Sequence, residues 1–333
     1  MNILIIGGTR NIGYHLTQSL VERGEQVTLL NRGVSPDDLP AGIPRLRADR
    51  TDPQQLRRAL HGRSFDVVID MVLYRGEEAE VITQLLRDAV GHYLFISTGQ
   101  VYLVRQGIQR PFKEIDYAAP LSPTPAPNTY DYEEYLYGYE KSQVEDALSA
   151  AFSDHGFPYT SLRIPMVNGE RDTFQRLYSY YLRIKDGGPI LAPDTPDYAL
   201  RHIYARDVVD AIHRVIERGS VTKGKAYNIS QDEELSLEAF LSIMARAMNM
   251  EAHVVRVERD VLETNGFLPD CSPFSERWMS NLDNSLSKHE LEMQYTPVET
   301  YLQAIVNEYV RNPQPAPAGY RRRQAEKHLV TAT

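Results

Sequence analysis

Short apolar runs alternate with helical patterns through the first half of the chain. The runs predict buried strands at residues 3–6, 27–30, 45–48, 65–70, 92–97 and 159–164. Apolar residues at helical spacing predict helices over 12–23, 77–90 and 130–152, and Pro53 marks the start of another. Continuous apolar strands spaced by helices are typical of a parallel sheet that is covered on both faces. The pattern therefore predicts an α/β fold with a doubly wound parallel sheet.

The alternation is less regular in the second half. Helices are predicted at 174–184, 205–218 and 236–248, and strands at 225–229 and 253–257. We expect residues 1–165 to form the sheet domain, with elements from about 200–230 returning to it. Residues 166–333 are expected to form mainly a smaller C-terminal α/β lobe, whose tail after Pro317 is a short helix or disordered. The Pro-rich segment 111–127 is predicted to be a loop.

The charge balance argues against a nucleic-acid partner. The 333 residues carry a formal net charge of −9, and the dense basic run is Arg321–Arg323 near the C-terminus. Because phosphate neutralisation by basic side chains drives nucleic-acid affinity, a binder normally shows a basic surface. We interpret Arg321–Arg323 as a solvated helix face.

Cysteine content and hydropathy predict a cytoplasmic protein. Cys271 is the single cysteine, so no intramolecular disulfide can form and a reducing compartment is favoured. The apolar run at residues 3–6 is too short for a signal peptide, and no stretch approaches the roughly 18 apolar residues of a membrane span. We expect Cys271 to be a buried small hydrophobe rather than a nucleophile, and we expect no metal site.

The most informative motif is a glycine-rich turn between the first strand and the first helix. It consists of Gly7, Gly8, Thr9, Arg10, Asn11, Ile12 and Gly13. Glycines let a backbone approach phosphate closely, and a helix N-terminus directs N–H groups towards an anion. The G-G-x-x-x-x-G spacing differs from the usual G-x-G-x-x-G, but the strand before it and the helix after it are the context that such a motif requires. The turn predicts a dinucleotide pyrophosphate site on a Rossmann-type sheet.

The end of the second strand bears on which dinucleotide binds. An acidic residue at this place accepts hydrogen bonds from the adenosine ribose and selects NAD. Here the residues are Asn31 and Arg32, and the Arg32 guanidinium can pair with a 2′-phosphate, helped by Arg10. This slightly favours NADP over NAD; alternatively, Asn31 bonds the ribose and Arg32 is a surface charge. Asp49 is expected either to accept from the adenine amino group or to be an acid at a helix N-terminus.

Tyr137 and Lys141 form a candidate acid–base pair. Their i, i+4 spacing places both side chains on one face of the predicted helix 130–152. A phenol has a pKa near 10, and a cation within about 4–6 Å lowers it, so the pair can move a proton on a hydroxyl or carbonyl. A surface pair in a tyrosine-rich helix is the alternative.

Two hydroxyl residues, Ser97 and Thr98, end the fifth strand. Ligands bind at the carboxyl edge of open parallel sheets, so Thr98 is placed to hydrogen-bond a substrate oxygen. A cap on a turn or helix is the alternative interpretation.

The order of these motifs is similar to that of a known superfamily. Three motifs occur in the same order as in that superfamily: the glycine-rich turn, Ser97-Thr98-x-x-Val101-Tyr102 and Tyr137-x-x-x-Lys141. The chain thus resembles the extended short-chain dehydrogenase/reductase superfamily, in its NAD-dependent epimerase/dehydratase family. The G-G-x-x-x-x-G form resembles an atypical subgroup, which includes sugar epimerases, dehydratases, isoflavone-reductase-like proteins and relatives of chloroplast stem-loop RNA-binding proteins. Further similar segments are Leu162–Pro165 and Arg201–Val208. The resemblance covers about residues 1–220 well.

The resemblance implies a role for each matched residue. Tyr137 would be the acid–base, Lys141 would lower its pKa and hold the nicotinamide ribose, and Thr98 would orient the substrate oxygen. Pro165 and Val167 would lie against the nicotinamide. The residues implied on the substrate side are Tyr102, Asn168 and Arg201, with Arg171 and Arg176 as further candidates for binding a diphosphate.

Several positions depart from the family pattern. Sugar 4,6-dehydratases carry Asp-Glu after the catalytic Thr, where this chain has Gly99 and Gln100, and glutamine cannot act as the base. The family's Asn after the sixth strand is replaced by Met166. The fourth strand lacks the usual small-residue ending, so Asp70 or Tyr74 is a candidate to face the cofactor or substrate, with a capping role as the alternative for Asp70.

The predicted function is an NAD(P)-dependent oxidoreductase or epimerase that acts on a hydroxyl or ketone of a sugar-like substrate, with a nucleotide sugar as one candidate. The alternatives are a dehydratase, or a non-catalytic NAD(P)-binding or RNA-associated protein on the same scaffold. A small-molecule substrate is expected as the partner, without nucleic acid or membrane. By resemblance, helices 77–90 and 130–152 would pair two subunits in a homodimer.

Overall fold

The computed structural model describes residues 1–34 and 37–331, and the chain divides into two units. The first unit comprises Met1–Pro165, Ala205–Ser230 and Leu282–Gln294. The second unit comprises Met166–Tyr204, Gln231–Asn281 and Tyr295–Thr333. The segment Leu282–Gln294, which the sequence pattern assigned to the C-terminal lobe, therefore belongs with the sheet domain.

A seven-stranded parallel sheet forms the middle of the first unit. Numbered in chain order, its strands are β1 (Asn2–Ile6), β2 (Gln26–Asn31), β3 (Arg45–Arg47), β4 (Phe65–Asp70), β5 (Val90–Thr98), β6 (Tyr159–Ile164) and β10 (Lys225–Asn228). They lie in the order β10-β6-β5-β4-β1-β2-β3, and every adjacent pair is parallel. The order reverses between β1 and β4, and ligands bind outside the carboxyl ends of strands at such a point. The prediction of a Rossmann-type parallel sheet is confirmed.

The helices of the first unit begin and end where the local sequence favours it. They are α1 (Asn11–Glu22), α2 (Pro53–Leu60), α3 (Gly76–Leu86), α4 (Gln100–Leu103), α5 (Tyr130–His155), α7 (Ala205–Arg218) and α10 (Ser285–Glu290). The Asp52 carboxylate accepts from backbone N–H groups in the first turn of α2. The Thr129 hydroxyl does the same for α5, which ends at Gly156 with a φ of 68°.

The central strand β1 is almost wholly apolar, as expected of a parallel strand that helices cover on both faces. The side chains of Ile3, Leu4, Ile5 and Ile6 are all 0% exposed. One core joins this sheet to α2, α3 and α5, and it includes Leu4, Val68, Phe95, Leu56, Ile82 and Val144. This packing holds the carboxyl ends of β1, β4 and β5 in place as the edge on which a site can be built.

The second unit contains two small parallel strand pairs and several helices. β7 (Val167–Asn168) pairs with β9 (Ile203–Tyr204), and β8 (Ile190–Pro193) pairs with β11 (Val254–Val257). The helices are α6 (Arg176–Lys185), α8 (Leu237–Ala247), α9 (Arg259–Thr264), α11 (Val298–Arg311) and α12 (Arg323–Thr331). Tyr178, Tyr180 and Tyr181 lie in its core, and Cys271 is buried as expected. No helix in the described ranges is long and apolar enough to cross a membrane.

The interpretation of Arg321–Arg323 as a solvated helix face is wrong for Arg323. The Arg323 side chain is 4% exposed and pairs with Asp186 at 2.7 Å and with Glu326 at 3.0 Å. Glu326 also pairs at 2.5 Å with Arg183, which is fully buried on α6. Asp186, which follows α6, is far from Arg323 in the sequence, so the basic run alone did not reveal that α12 packs through its charges.

Candidate active site

The turn between β1 and α1 has the backbone shape of a phosphate-binding turn. Gly7 and Gly8 have φ angles of 101° and 84°, in the region that favours glycine. A Cβ at Gly13 would lie 2.6 Å from the Cα of Gly8, so only glycine allows the helix to approach the turn this closely. The Thr17 hydroxyl donates to the carbonyl oxygens of Gly8 and Gly13 at 2.9 and 2.7 Å. These contacts place the N-terminus of α1 at the switch point.

The first backbone N–H groups of α1, like those of any helix, have no carbonyl partner within the helix and can face an anion. Arg10 precedes the helix, and no side chain caps it there. Asn11 begins the helix with a φ of 40°, and its first turn contains no acidic residue. Thr9 and Ile12 complete the turn. Because unpaired N–H groups and the helix dipole favour negative charge, this cradle fits a dinucleotide pyrophosphate.

A second arginine joins the predicted residues at the carboxyl ends of β2 and β3. Arg47 is paired with Asn31 in the sheet register, and its guanidinium donates to Asn31 Oδ1 at 2.8 Å. It also covers Gly33, where a Cβ would come within 1.7 Å of Arg47 Nη1. The exposed Arg32 lies 4.0 Å from Asp49. The place of Arg47 at the end of a strand beside β2 was the sequence signal for it, and two guanidinium groups thus lie at this corner.

Asp49 is engaged by its own turn. Its carboxylate accepts from the Thr51 backbone N–H at 3.0 Å and from the Thr51 hydroxyl at 2.8 Å. These hydrogen bonds lower the pKa of Asp49. The local role in the turn before α2 is therefore visible, and a contact with adenine stays a prediction.

Lys141 is buried on the inner face of α5, with 3% of its surface exposed. Its ammonium donates to the carbonyl oxygens of Leu73 and Ile96, both at 2.9 Å. The rings of Tyr74 and Phe95 lie 4.9 and 4.5 Å from the ammonium, within the range of cation–π attraction. The loop after β4 and the end of β5 together therefore enclose this charge.

Burial sets the protonation of Lys141. Removal from water is the largest influence and lowers the pKa of Lys141 from 10.5 to about 7, against the opposing effect of two nearby carboxylates, Asp70 and Glu145. Each carboxylate has its own arginine: Asp70 pairs with Arg50 at 2.7 Å and Glu145 with Arg163 at 2.6 Å. Lys141 therefore changes its protonation state around pH 7, and lysines with strongly lowered pKa values are common at functional sites.

Asp70 and Tyr74, the two candidates after β4, have opposite surroundings. Asp70 is fully buried, accepts from the Tyr93 hydroxyl at 2.7 Å and from the Val72 backbone N–H at 3.0 Å, and pairs with Arg50. Tyr74 is 45% exposed, and its ring centre lies 6.4 Å from that of Tyr137. Asp70 therefore has the capping role, whereas Tyr74 presents surface beside the acid–base pair.

The end of β5 and the helix α5 meet at Gly138. A Cβ at Gly138 would lie 2.7 Å from the Gln100 carbonyl oxygen, so this glycine lets α5 approach the turn after Thr98. The Thr98 hydroxyl accepts from the Gln100 backbone N–H at 3.3 Å. Tyr137, partly buried, precedes Gly138 on α5. The segment after Thr98 thus packs against the helix that carries Tyr137 and Lys141.

Tyr102 lies in a buried polar cluster beneath this corner. It is 0% exposed, and its hydroxyl donates to Asn228 Oδ1 at 2.8 Å and accepts from Arg163 at 2.7 Å. The Ser97 hydroxyl donates to Glu145, the partner of Arg163, at 2.5 Å. Burial raises the pKa of Tyr102. Tyr102 supports the end of β5, and its side chain offers a substrate no surface in this structure.

Pro165 and Val167 flank the boundary between the sequence segments of the two units. Pro165 is buried after β6, and Val167 pairs with Ile203 in the β7–β9 ladder. Asn168 is 1% exposed, and its amide lies 3.1 Å from His202 Nδ1. Asn168 therefore links β7 to β9 rather than presenting a free amide. The nicotinamide contacts of Pro165 and Val167 stay predictions.

Two of the candidate arginines of the second unit, Arg201 and Arg176, have partners within that unit. Arg201 donates to the Gln231 carbonyl oxygen at 2.9 Å. The Arg176 guanidinium lies 4.5 Å from the centre of the Phe174 ring. Arg171 lies in the turn before α6, and all three arginines are partly exposed. Contact with a substrate diphosphate stays a prediction for each of them.

Comparison with known proteins agrees with this geometry. The NAD dependent epimerase/dehydratase family matches residues 3–230. The chain is 27% identical over 258 residues to the chloroplast stem-loop binding protein of 41 kDa b of Arabidopsis thaliana, covering 74% of this chain and 62% of that protein. It is 28% identical over 154 residues to 2′-dehydrokanamycin reductase of Streptomyces kanamyceticus, covering 46% of this chain and 39% of the reductase. The chain thus spans less than two thirds of the length of either relative.

Solved structures share the fold. UDP-glucose 4-epimerase of Thermotoga maritima superposes with a TM-score of 0.72 at 19% identity, covering 94% of this chain and 100% of the epimerase. The dTDP-glucose 4,6-dehydratase of Bacillus anthracis superposes with a TM-score of 0.71 at 15% identity, covering 94% and 97%. At these identities the likeness shows the fold. With the family match over residues 3–230, the chain belongs to the NAD dependent epimerase/dehydratase family.

Proposed function

We propose that this enzyme moves hydride between NAD(P) and a secondary alcohol or ketone of a sugar-like substrate, with Tyr137 as the acid–base. The observation that carries the proposal is the buried ammonium of Lys141 one turn after Tyr137, at the corner where α5 packs on the segment after Thr98. When bound, the nicotinamide supplies or accepts the hydride. Release of the keto product would make the net reaction an oxidation. Return of the hydride to the opposite face of that ketone would make it an epimerisation.

Lys141 would act on Tyr137 through its charge. An ammonium close to a phenol stabilises the phenolate, so the phenol can give up its proton near neutral pH and take it back in reverse. The carbonyl oxygens of Leu73 and Ile96 and the ring of Tyr74 hold the ammonium in place. The family resemblance adds a bond from Lys141 to the nicotinamide ribose.

Thr98 would orient the substrate oxygen. Its hydroxyl accepts a long hydrogen bond of 3.3 Å from the Gln100 backbone and keeps its own proton for a substrate oxygen. A donor at this position polarises a carbonyl while Tyr137 transfers its proton. Thr98 is 9% exposed, so this polarisation would occur with little competing water.

Replacement of Tyr137 tests the mechanism. Cyclohexanol serves as a simple model of a secondary alcohol. We expect Tyr137→Phe to lower kcat for its oxidation by about 10²–10⁴-fold, the usual contribution of a general acid–base. Tyr139→Phe, two residues further along α5, is the matched control and should retain wild-type turnover. Full turnover by Tyr137→Phe would exclude Tyr137 as the acid–base.

Native mass spectrometry of the purified protein tests the reaction class. Retention of NAD(H) or NADP(H) through purification would favour epimerisation, because an epimerase reoxidises or re-reduces its own cofactor. Free exchange of the cofactor would favour a reductase or dehydrogenase.

The guanidinium groups of Arg32 and Arg47 favour NADP over NAD. They lie at the carboxyl ends of β2 and β3, where residues of such folds contact the 2′-hydroxyl or 2′-phosphate of the adenosine ribose. We expect the double variant Arg32→Ala, Arg47→Ala to weaken NADPH binding at least about tenfold in a fluorescence titration while leaving NADH binding within about twofold. Arg57→Ala on α2 is the control, and an equal loss for both cofactors would contradict the preference.

Stem-loop binding is a second candidate because of the Arabidopsis thaliana relative. The net charge of −9 argues against a large electrostatic footprint. Titration with a stem-loop RNA at several salt concentrations decides the question. Binding that weakens steeply with salt would support this candidate. The absence of bound RNA at micromolar protein and low salt would exclude it.

A nucleotide sugar and a homodimer are the finer parts of the proposal. The UDP-glucose bound by the Thermotoga maritima epimerase motivates a test of UDP-glucose with the Arg201→Ala variant.

For the dimer, α5 presents Leu136 and Phe152 at 37% and 39% exposure. Sedimentation should give the mass of two chains, and the double variant Leu136→Glu, Phe152→Glu should give that of one.

A further inference from the structure

A carboxylate lies one turn before Tyr137 on the same helix. Glu134, Gly138, Lys141 and Glu145 follow one another at helical spacing and line one face of α5. The last three are buried, whereas Glu134 is only partly buried. Glu134 thus lies on the same face of α5 as Lys141, at its partly exposed end, where a small molecule can reach it.

The side chain of Gln100 holds Glu134 in place. The Gln100 amide donates from Nε2 to Glu134 Oε2. This hydrogen bond joins α4 to α5 at the close approach that Gly138 allows. Because Thr98 and Gln100 belong to one turn, the Glu134 carboxylate is tied to the segment that carries the substrate-orienting hydroxyl.

Among the described residues, Glu134 has no arginine partner, unlike Asp70 and Glu145. Asp70 and Glu145 are each paired with a guanidinium within 3 Å, at 2.7 and 2.6 Å. Within residues 1–34 and 37–331, Glu134 forms no ion pair, and its bonded side chain is the neutral Gln100. A carboxylate accepts up to about four hydrogen bonds, so acceptor positions remain beside the acid–base pair.

We infer that Glu134 binds the substrate by accepting a hydrogen bond from a hydroxyl or ammonium group on the carbon next to the reacting one. The inference rests on the proposed function, since Tyr137 and Thr98 must hold the reacting oxygen. Residues three apart on a helix have Cβ atoms about 5–6 Å apart, so the side chains of Glu134 and Tyr137 can converge on neighbouring substituents. Gln100 acts as a positioning residue, and a carboxylate or phosphate on that carbon would be repelled.

Four cyclohexane alcohols test this preference in the oxidation direction. They are cyclohexanol, cyclohexane-1,2-diol, 2-aminocyclohexanol and 2-hydroxycyclohexanecarboxylate, and cyclohexanol is the reference in each variant. We expect the full-length wild type to prefer the diol and the amino alcohol about tenfold in kcat/KM, and to turn over the carboxylate least. Glu134→Gln should reduce the preference for the amino alcohol to within about twofold, and Glu134→Asp should restore part of it.

The exposed neighbour Glu133 supplies the matched control, since Glu133→Gln removes the same charge one residue away. This control should keep the wild-type ratio. An unchanged ratio of amino alcohol to cyclohexanol in Glu134→Gln would overturn the inference, as would an equal fall of that ratio in Glu133→Gln.

Calorimetry separates this inference from the proposed hydride transfer. The cofactor-saturated wild type should bind 2-aminocyclohexanol more tightly than cyclohexanol, and Glu134→Gln should lose the difference. If no alcohol is oxidised but the difference in binding persists, the hydride-transfer proposal fails and the carboxylate subsite stands. If the difference in binding is absent from the wild type, the inference about Glu134 is wrong.

Discussion

Lys141 in the first unit and Arg183 in the second unit are both buried cations, but their partners differ in kind. In the second unit, Arg183 is fully buried, pairs with Glu326 at 2.5 Å and donates to the Gly319 carbonyl oxygen at 3.0 Å. In the first unit, Lys141 donates to two carbonyl oxygens and lies over two rings, and no described carboxylate bonds to it. A bonded carboxylate compensates a buried charge, whereas carbonyls and rings do so only in part.

The difference separates a charge that holds the fold from a charge that can change. Arg183 connects α6 to α12 through Glu326. Lys141 has a pKa of about 7, so small changes around it alter its protonation. Four substitutions test this contrast, from the largest expected effect to the smallest.

Arg183→Met should destabilise the protein by about 3–5 kcal/mol, because it breaks a fully buried ion pair and leaves Arg323 as the remaining described arginine partner of the Glu326 carboxylate. The free energy of unfolding in urea measures this. Lys185→Met, an exposed change on the same helix, should stay within about 0.5 kcal/mol of the wild type. A loss below about 1 kcal/mol for Arg183→Met would show that the pair is not structural.

Lys141→Met should have the opposite sign. The pKa of Lys141 is lower in the folded protein than in the unfolded chain, so the wild type gains stability as pH rises from about 7 towards 10.5. Methionine has no charge to bury, and we expect the variant to be more stable by about 2–4 kcal/mol at pH 6. Its advantage should shrink towards pH 10 in urea unfolding, and a pH-independent difference would contradict the burial of a titrating ammonium.

The pH dependence of turnover should report the same group. The protonated form of Lys141 stabilises the phenolate, so the part of kcat/KM that depends on it should fall about tenfold per unit above pH 7. In Lys141→Arg the cation stays charged, and this fall should disappear from the ratio of variant to wild type. An identical profile for both proteins would assign the titration to another group.

Tyr74 should have the smallest effect, through its ring. Cation–π attraction favours the ammonium, so Tyr74→Leu should lower the pKa of Lys141 by about half a unit. Tyr74→Phe keeps the ring and should leave the midpoint of the pH–rate profile in place. Equal shifts in both variants would assign the effect to the Tyr74 hydroxyl instead.

The elements of the first unit were predicted well because their signals are local. The apolar runs and glycines located β1, β2 and β4 to within a residue or two, and the apolar stripe located α7 at Ala205–Arg218. The helix Val298–Arg311 was not predicted, although its apolar residues have helical spacing after Pro297. The four-residue helix after Thr98 is too short for periodicity to reveal.

The sequence by itself determined the strands of the sheet, the glycine turn and the shared helix face of Tyr137 and Lys141, because each depends on residues a few positions apart. The tertiary structure alone decided which polar groups meet. Arg183 with Glu326 and Gln100 with Glu134 come from distant parts of the chain. Hydrophobic periodicity specifies which face of an element is buried, but it carries no information about which charged side chain arrives opposite another. For that reason only the folded chain shows that the ammonium of Lys141 is buried against two carbonyl oxygens, with no bonded carboxylate in the described part of the chain, and that its pKa is about 7.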